Sequence, residues 1–214
     1  MSSTEAVEGL YRSQRLLYRA AEDSNEDKAF MQNQILNDSL LQSMSTLRLK
    51  KPCPKRPAEE FIKNLQDAIL GVIICLPPKT SSGEGNAQPA VDAKPVPIGY
   101  LSISSLYGSS SSHHRSAMVG ISLADGFRGQ GYGGEAMNWA LDWAFQHAGL
   151  HRVHLGTFSY NHNAIRMYRK VGFVEEGRER EAVYHLRGWH DIVNFSMLEH
   201  EWEKLRGIGQ AREK

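Results

Sequence analysis

The chain has 214 residues, 41% of them hydrophobic and 23% charged, with a formal net charge of +1, the profile of an ordinary soluble globular protein of one domain. So balanced a charge gives no field that would draw nucleic acid or an anionic membrane, and neither is expected as a partner. No run approaches about 18 apolar residues and the first ten residues lack an apolar signal region, so a cytoplasmic protein is expected; its two cysteines, Cys53 and Cys75, read as free thiols.

In chain order, residues 16–20 read as a short strand. The polar stretch 22–28 opens a helical segment in which Phe30, Met31 and Ile35 form an apolar stripe. Lys50-Lys51-Pro52-Cys53-Pro54-Lys55-Arg56 reads as an exposed loop. A helix is predicted over 58–68, with Phe61, Ile62 and Leu65 on one face and Pro57 suited to its first turn. Residues 70–76 are a continuous apolar run, hence a buried strand. From 77 to 97 the composition turns to Pro, Gly, Ser, Ala and Lys, a flexible insertion without chemistry. Strands over 98–106 and 117–123 flank a serine-rich turn at 108–112 and form a hairpin.

The second half is more regular. Residues 131–148 carry Met137, Leu141, Ala144 and Ala148 at helical spacing, and Gly149 is placed to end the helix. A strand over 151–157 is followed by a helix over 163–171, which Gly172 stops with Arg169 and Lys170 in its last turn. Strands over 173–177 and 189–198 complete the order β-α-α-β-β-β-α-β-α-β-β, an α+β, mixed-sheet domain. The domain is placed at 10–207, with tails at 1–9 and 208–214.

Strand 117–123 runs into Asp125-Gly126-Phe127-Arg128-Gly129-Gln130-Gly131-Tyr132-Gly133-Gly134, a glycine-dense turn that opens a helix. Main-chain N–H groups and the positive end of the helix dipole converge at such a turn, which suits a diphosphate. Glycines let the ligand approach the backbone, and Arg128 can add a charge-assisted contact. Gly129-x-Gly131-x-x-Gly134 formally matches a dinucleotide fingerprint. That reading needs an acid about 20 residues on, and residues 150–163 contain neither Asp nor Glu. It is rejected.

Arg128-x-x-Gly131-x-Gly133 instead resembles the [Arg/Gln]-x-x-Gly-x-[Gly/Ala] signature of the GNAT superfamily of acyltransferases. Downstream, Asn161-x-x-Ala164-Ile165-x-x-Tyr168-x-x-x-Gly172-Phe173 is similar to a second pattern of that family, position for position. The two motifs stand in the family's order, separated by one helix and one strand. Glu175-Glu176-Gly177, Gly188-Trp189-His190-Asp191-Ile192-Val193 and Glu201-Trp202 resemble the branch containing ribosomal-protein and spermidine acetyltransferases. The resemblance implies a mixed, mostly antiparallel central sheet flanked by helices, with strands splayed at an acetyl-CoA site. It implies that Ile121, Ser122 and Leu123 bind the pantetheine arm. Arg128, Gly129, Gln130, Gly131, Tyr132, Gly133 and Gly134 would bind the pyrophosphate, and Asn161, Asn163 and Lys170 complete the carrier site.

The implied chemistry is direct attack of a bound amine on the thioester, with Tyr168 beside the coenzyme sulfur. An unperturbed tyrosine has a pKa of about 10 and a thiol about 8.5, so a hydrogen bond to the developing thiolate competes with full proton transfer as its role. Glu181, Asp191 and Asp38 are the carboxylates near the expected site, none distinguished as the base. The acceptor is read as the primary amine of a small molecule: a polyamine, an amino acid or a xenobiotic amine. A protein N-terminus or lysine is the alternative, and a non-catalytic acyl-CoA sensor the reading from another class. No metal is expected: His151 and His154, three apart on a strand, point to opposite faces, and His113-His114 lies in the serine-rich turn. Trp139 and Trp143, four apart on a helix, read as core. The sequence does not fix the oligomeric state, a homodimer being among the assemblies it permits.

Overall fold

The computed structural model describes residues 9–78, 94–105 and 108–208. Most of the expected tails, 1–9 and 208–214, and most of the insertion at 77–97 lie outside them. Chain order gives β1 (Leu17–Ala20), α1 (Asn25–Phe30), a π-helical stretch (Met31–Leu36), α2 (Ser39–Ser45), α3 (Lys55–Gln66), β2 (Leu70–Leu76), β3 (Val96–Ser104) and, after a 3-10 turn (Ser109–His114), β4 (Ser116–Leu123). There follow α4 (Tyr132–Gln146), β5 (Arg152–Phe158), α5 (His162–Val171), β6 (Val174–His185), β7 (Gly188–Leu198) and α6 (Glu199–Arg206).

The helix starts have local causes. Ser24 caps α1 by accepting from the Asp27 N–H, and Asp38 caps α2 by accepting from the Leu41 N–H, each satisfying a donor that the first turn leaves open. Asn161 does the same for α5 through the Ala164 N–H. Gly172 takes φ 110° at the end of α5, a left-handed stop that its missing Cβ permits. The helical segment expected from residue 22 onward passes from α to π at Met31 and is then interrupted at Asn37 and Asp38, where Asp38 caps a new turn.

The strands form one seven-stranded sheet in the order β1-β2-β3-β4-β5-β7-β6. Every neighbouring pair is antiparallel except β4 and β5. A mixed, mostly antiparallel sheet flanked by helices is the expected architecture. One face carries α4, α5 and α6 over a core including Val119, Met137, Leu155, Ile165 and Phe195. The other carries α1 to α3 over Ile73, Cys75 and Ala124, with Met31, Ile35, Ile62 and Leu65 supplied by the helices. Trp139 is buried and stacks on Tyr18 with ring centroids 3.6 Å apart, its Nε1–H donating to the Leu10 carbonyl. Both cysteines are free thiols, Cys75 buried and Cys53 half-buried.

Two strands extend beyond their expected bounds, and one helix is new. β3 starts at Val96, inside the stretch assigned to the insertion, where it pairs with Leu76. β6 runs on to His185 because Arg178 and Glu179, then Val183 to His185, pair with β7 on either side of a register shift, although this charged sequence shows no alternation. α6 was not expected: eight residues with Trp202 as their only buried side chain carry no apolar period. Its start is marked by Glu201, whose carboxylate accepts from the Leu198 N–H at 2.8 Å.

Candidate active site

The parallel pairing of β4 and β5 is short. Only Ser116, Ala117 and Met118 are in register with Arg152, Val153 and His154; beyond them the strands part. Which amides face the gap follows from ladder alternation. The Ala124 N–H donates to Ile98 of β3 at 2.8 Å, so Ser122 and Gly120 also turn their amides to β3. Val119, Ile121 and Leu123 therefore present theirs to the opposite edge, where β5 has diverged. On β5, the Ser159 N–H donates to the Asp191 carbonyl at 2.9 Å, so Gly156 and Phe158 face the same gap. The splayed strands expected from the resemblance are present, and Ile121 and Leu123 line them with main chain rather than side chain. Ser122 is buried on the other register, its Oγ donating to the Tyr100 hydroxyl at 3.5 Å.

The glycine turn joins β4 to α4. Gly129 and Gly131 hold φ of 75° and 84°, a region costly for a residue with a Cβ, and Gly131 is the N-cap residue of α4. Gly133 answers a different need: a Cβ there would lie 3.1 Å from Met167 Sδ of α5. Two of the signature glycines are thus explained, one by backbone conformation and one by helix approach. Gln130 folds back to donate to the Gly126 carbonyl at 2.5 Å.

Arg128 does not extend into the open. Its Nε donates to the Leu123 carbonyl at 2.8 Å and its NH2 pairs with Asp38. The guanidinium ties the end of β4 to the start of α2. Asp38, considered as a base, is committed to the same pair. Burial pushes its carboxyl up, but the Leu41 N–H and the Arg128 guanidinium together hold it below the usual carboxylate range. Asp191 accepts from the Glu181 N–H at 3.0 Å, and Glu181 itself is exposed with φ 52°.

On α5, Ile165, Tyr168 and Val171 are buried. Tyr168 packs against Phe173 and Phe195, both with centroids 5.9 Å away. Its hydroxyl makes no hydrogen bond to another described residue. No buried polar side-chain atom lacks a partner among those residues, so that oxygen borders accessible space instead of being sealed in. Burial, with the nearby Tyr100 adding to it, pushes its pKa up to about 12. Asn163, Met167 and Lys170 follow at i, i+4 and i+7 on another face, and Met167 sets that face against the entry of α4. Lys170 is exposed there, while Asn163 accepts from Arg166. The Asn161 side chain is occupied as the α5 cap.

Two side chains that sequence reasoning did not single out reach these elements. Arg15, just before β1, lies over the Tyr132 ring with 4.6 Å to its centroid and donates to Glu135 and to the Gln130 carbonyl. Tyr160 follows β5, donates to the Ser43 carbonyl at 2.6 Å and stacks on His185. Both act across more than 20 residues of sequence, and neither falls within a short motif. Among the described residues no group of three or more His, Cys, Asp or Glu is placed to hold a metal ion, and no helix is long and apolar enough to cross a membrane.

A family model described as the acetyltransferase (GNAT) family matches residues 49–173. The chain is 30% identical over 172 residues to the putative ribosomal N-acetyltransferase YdaF of Bacillus subtilis (strain 168), covering 74% of this chain and 93% of that protein. It is 32% identical over 89 residues to the spermidine N(1)-acetyltransferase of Vibrio cholerae, covering 42% of this chain and 51% of the relative. The crystal structure of spermidine N-acetyltransferase from Vibrio cholerae in complex with CoA and spermine shares the fold, with a TM-score of 0.68 at 23% identity over 89% of this chain and 99% of that one. A sheet parted beside a glycine-built helix entry and a family match across both motifs lead to one assignment: the chain belongs to the acetyltransferase (GNAT) family of N-acetyltransferases.

Proposed function

We propose that the protein transfers the acetyl group of acetyl-CoA directly to the primary amine of a small molecule. One observation carries the reading: the gap between β4 and β5 exposes the Ile121 and Leu123 amides next to the helix entry at Gly131. Main-chain donors at the entry suit the diphosphate, and those along β4 suit the amide-bearing pantetheine arm. The Leu123 N–H is the donor closest to the turn and is available to polarise the thioester carbonyl. Holding carrier and amine together across the gap lowers the entropic part of the barrier.

The nitrogen of the neutral amine forms a bond to the carbonyl carbon, the C–S bond breaks with its electron pair going to sulfur, and the proton lost by nitrogen passes to solvent water, from which the released thiolate is reprotonated. With Tyr168 at about 12 and a thiol near 8.5, complete transfer of the phenolic proton is uphill by about 5 kcal/mol. Tyr168 therefore acts by donating a hydrogen bond to the developing thiolate, not as a full acid.

Two features support a small acceptor. The space between the first helices and the last hairpin is bridged, with Lys50 Nζ 2.5 Å from His185 Nδ1 and the Tyr160 hydroxyl bonded to Ser43, which shortens any groove for an extended peptide. Carboxylates of the first helical region are also engaged: Asp23 with Lys28, Glu26 with Lys94, Asp27 with Arg19 and Asp38 with Arg128. That leaves a weak attraction for a polycation and favours monoamines within the small-molecule class. A protein acceptor is the second reading, favoured by the name and the long match of the ribosomal relative. Release of coenzyme thiol, followed across monoamines, polyamines, amino acids and peptides, tests both. Turnover confined to peptides overturns the small-molecule reading; none with any amine, alongside tight acetyl-CoA binding, supports a sensor.

A further inference from the structure

We propose that Arg15, from the segment before β1, is the guanidinium that faces the diphosphate of the carrier, a place that the turn's own Arg128 does not take. The proposal rests on the acetyl-CoA reading above and assigns a binding residue to it.

The geometry has three parts. The Arg128 guanidinium is engaged elsewhere, its charge matched by Asp38 and its Nε held by the Leu123 carbonyl. Glu135, in the first turn of α4, brings a negative charge to the very place where a diphosphate needs positive potential. Arg15 answers that charge: its Nε donates to Glu135 Oε2 at 2.7 Å and its main-chain N–H to Oε1 at 2.6 Å, with Ser13 Oγ also donating to Oε1.

The same side chain reaches the turn. Arg15 NH1 donates to the Gln130 carbonyl at 3.1 Å, and the guanidinium carbon lies 4.6 Å from the Tyr132 ring centroid. NH2 lies 3.2 Å from the point where a Cβ on Gly131 would sit. A guanidinium has five N–H donors in a fixed fork; here the two on NH2 have no partner among the described residues. The side chain is 43% exposed, so these donors are open beside the Gly131 main chain. A planar fork, oriented by a carboxylate behind and an aromatic ring beneath, is preorganised for a bidentate phosphate contact.

Calorimetric titration with CoA tests the proposal on Arg15→Gln, Glu135→Gln and the double variant. We expect Arg15→Gln to weaken CoA binding about 10- to 100-fold. The double variant stays at least about tenfold weaker than Glu135→Gln alone. Full recovery in the double variant overturns the proposal, because Arg15 would then only be cancelling Glu135. Dephospho-CoA, which lacks the 3′-phosphate, should show the same Arg15→Gln penalty; a penalty that vanishes with it overturns the diphosphate assignment. Should Arg15→Gln fail to fold, the wild-type protein still decides. Modification by phenylglyoxal, mapped by peptide mass spectrometry, should be suppressed by CoA at Arg15, and equal labelling with and without CoA overturns the proposal. No heat with CoA for folded wild-type protein defeats the acetyl-CoA reading itself, whereas wild-type binding matched by Arg15→Gln defeats only this inference.

Discussion

At the scale of single residues, the proposed mechanism depends on Tyr168 staying protonated. Tyr168 donates a hydrogen bond only while protonated, and burial pushes its pKa up to about 12. Its contribution is therefore present at neutral pH, persists through pH 10 and is lost only as pH rises toward 12. Tyr168→Phe removes the donor without changing the packing against Phe173 and Phe195. We predict a fall in kcat of about 10²-fold, with KM for acetyl-CoA nearly unchanged, because the hydrogen bond strengthens as the thiolate forms. A loss below about threefold would remove Tyr168 from the mechanism, since one directed hydrogen bond at a developing charge is worth more than that. A wild-type fall in kcat between pH 8 and 10 would have to come from another group.

At the scale of elements, close approach decides which substitutions are tolerated. A Cβ at Gly71, the second residue of β2, would lie 1.9 Å from the Leu65 carbonyl oxygen of α3. Backbone cannot yield as a flexible side chain can, so Gly71→Ala is expected to cost at least the upper end of about 1–3 kcal/mol, measured as a shift in urea midpoint at constant slope. Gly133→Ala meets the thioether of Met167 at 3.1 Å, which can move aside, and should cost far less. A larger loss for Gly133→Ala than for Gly71→Ala would reverse this order and refute the packing argument. The same scale shows what the sequence made legible. β2, β4, β5 and α5 were readable because an apolar run, an alternation or a capped period lies within each segment. α2 and α6 were not: the first rests on the Asp38 cap and the second buries Trp202 alone. The glycine turn and Tyr168 were legible because contiguous residues carry them. Arg15 was not, because its partner Glu135 lies 120 residues away, and nothing near Arg128 in sequence announces that Asp38 turns it inward.

At the scale of the molecule, two charge pairs tie the first helices to the sheet and the site. Arg19 of β1 grips Asp27 of α1 through both oxygens, at 2.8 and 2.5 Å, and the Glu22 N–H also donates to that carboxylate at 2.9 Å. Asp38 at the start of α2 holds Arg128 at the glycine turn. Burial pushes the Asp27 carboxyl up, but the Arg19 fork and the Glu22 N–H outweigh it and hold the pKa below the usual carboxylate range; the Asp38 carboxyl is depressed likewise. A depressed carboxyl contributes stability that is complete above its unfolded value, near 4, and is lost as pH falls through the folded value. The wild-type protein should therefore hold its stability from neutrality to about pH 4 and lose it steeply below. Asp27→Asn breaks the pair with the more buried carboxylate and should cost about 2–4 kcal/mol at pH 7, at the lower end because Arg19 stays partly solvated. Its stability should also fall less steeply under acid, since one of the protons taken up on unfolding is gone. Asp38→Asn should act differently, costing less stability but freeing Arg128, so that CoA affinity shifts along with the melting transition. Urea midpoints from pH 2 to 7 for the three proteins decide the point. Parallel curves displaced by a constant would show that the pairs do not titrate with folding, and that the first helices are held by their apolar stripe alone.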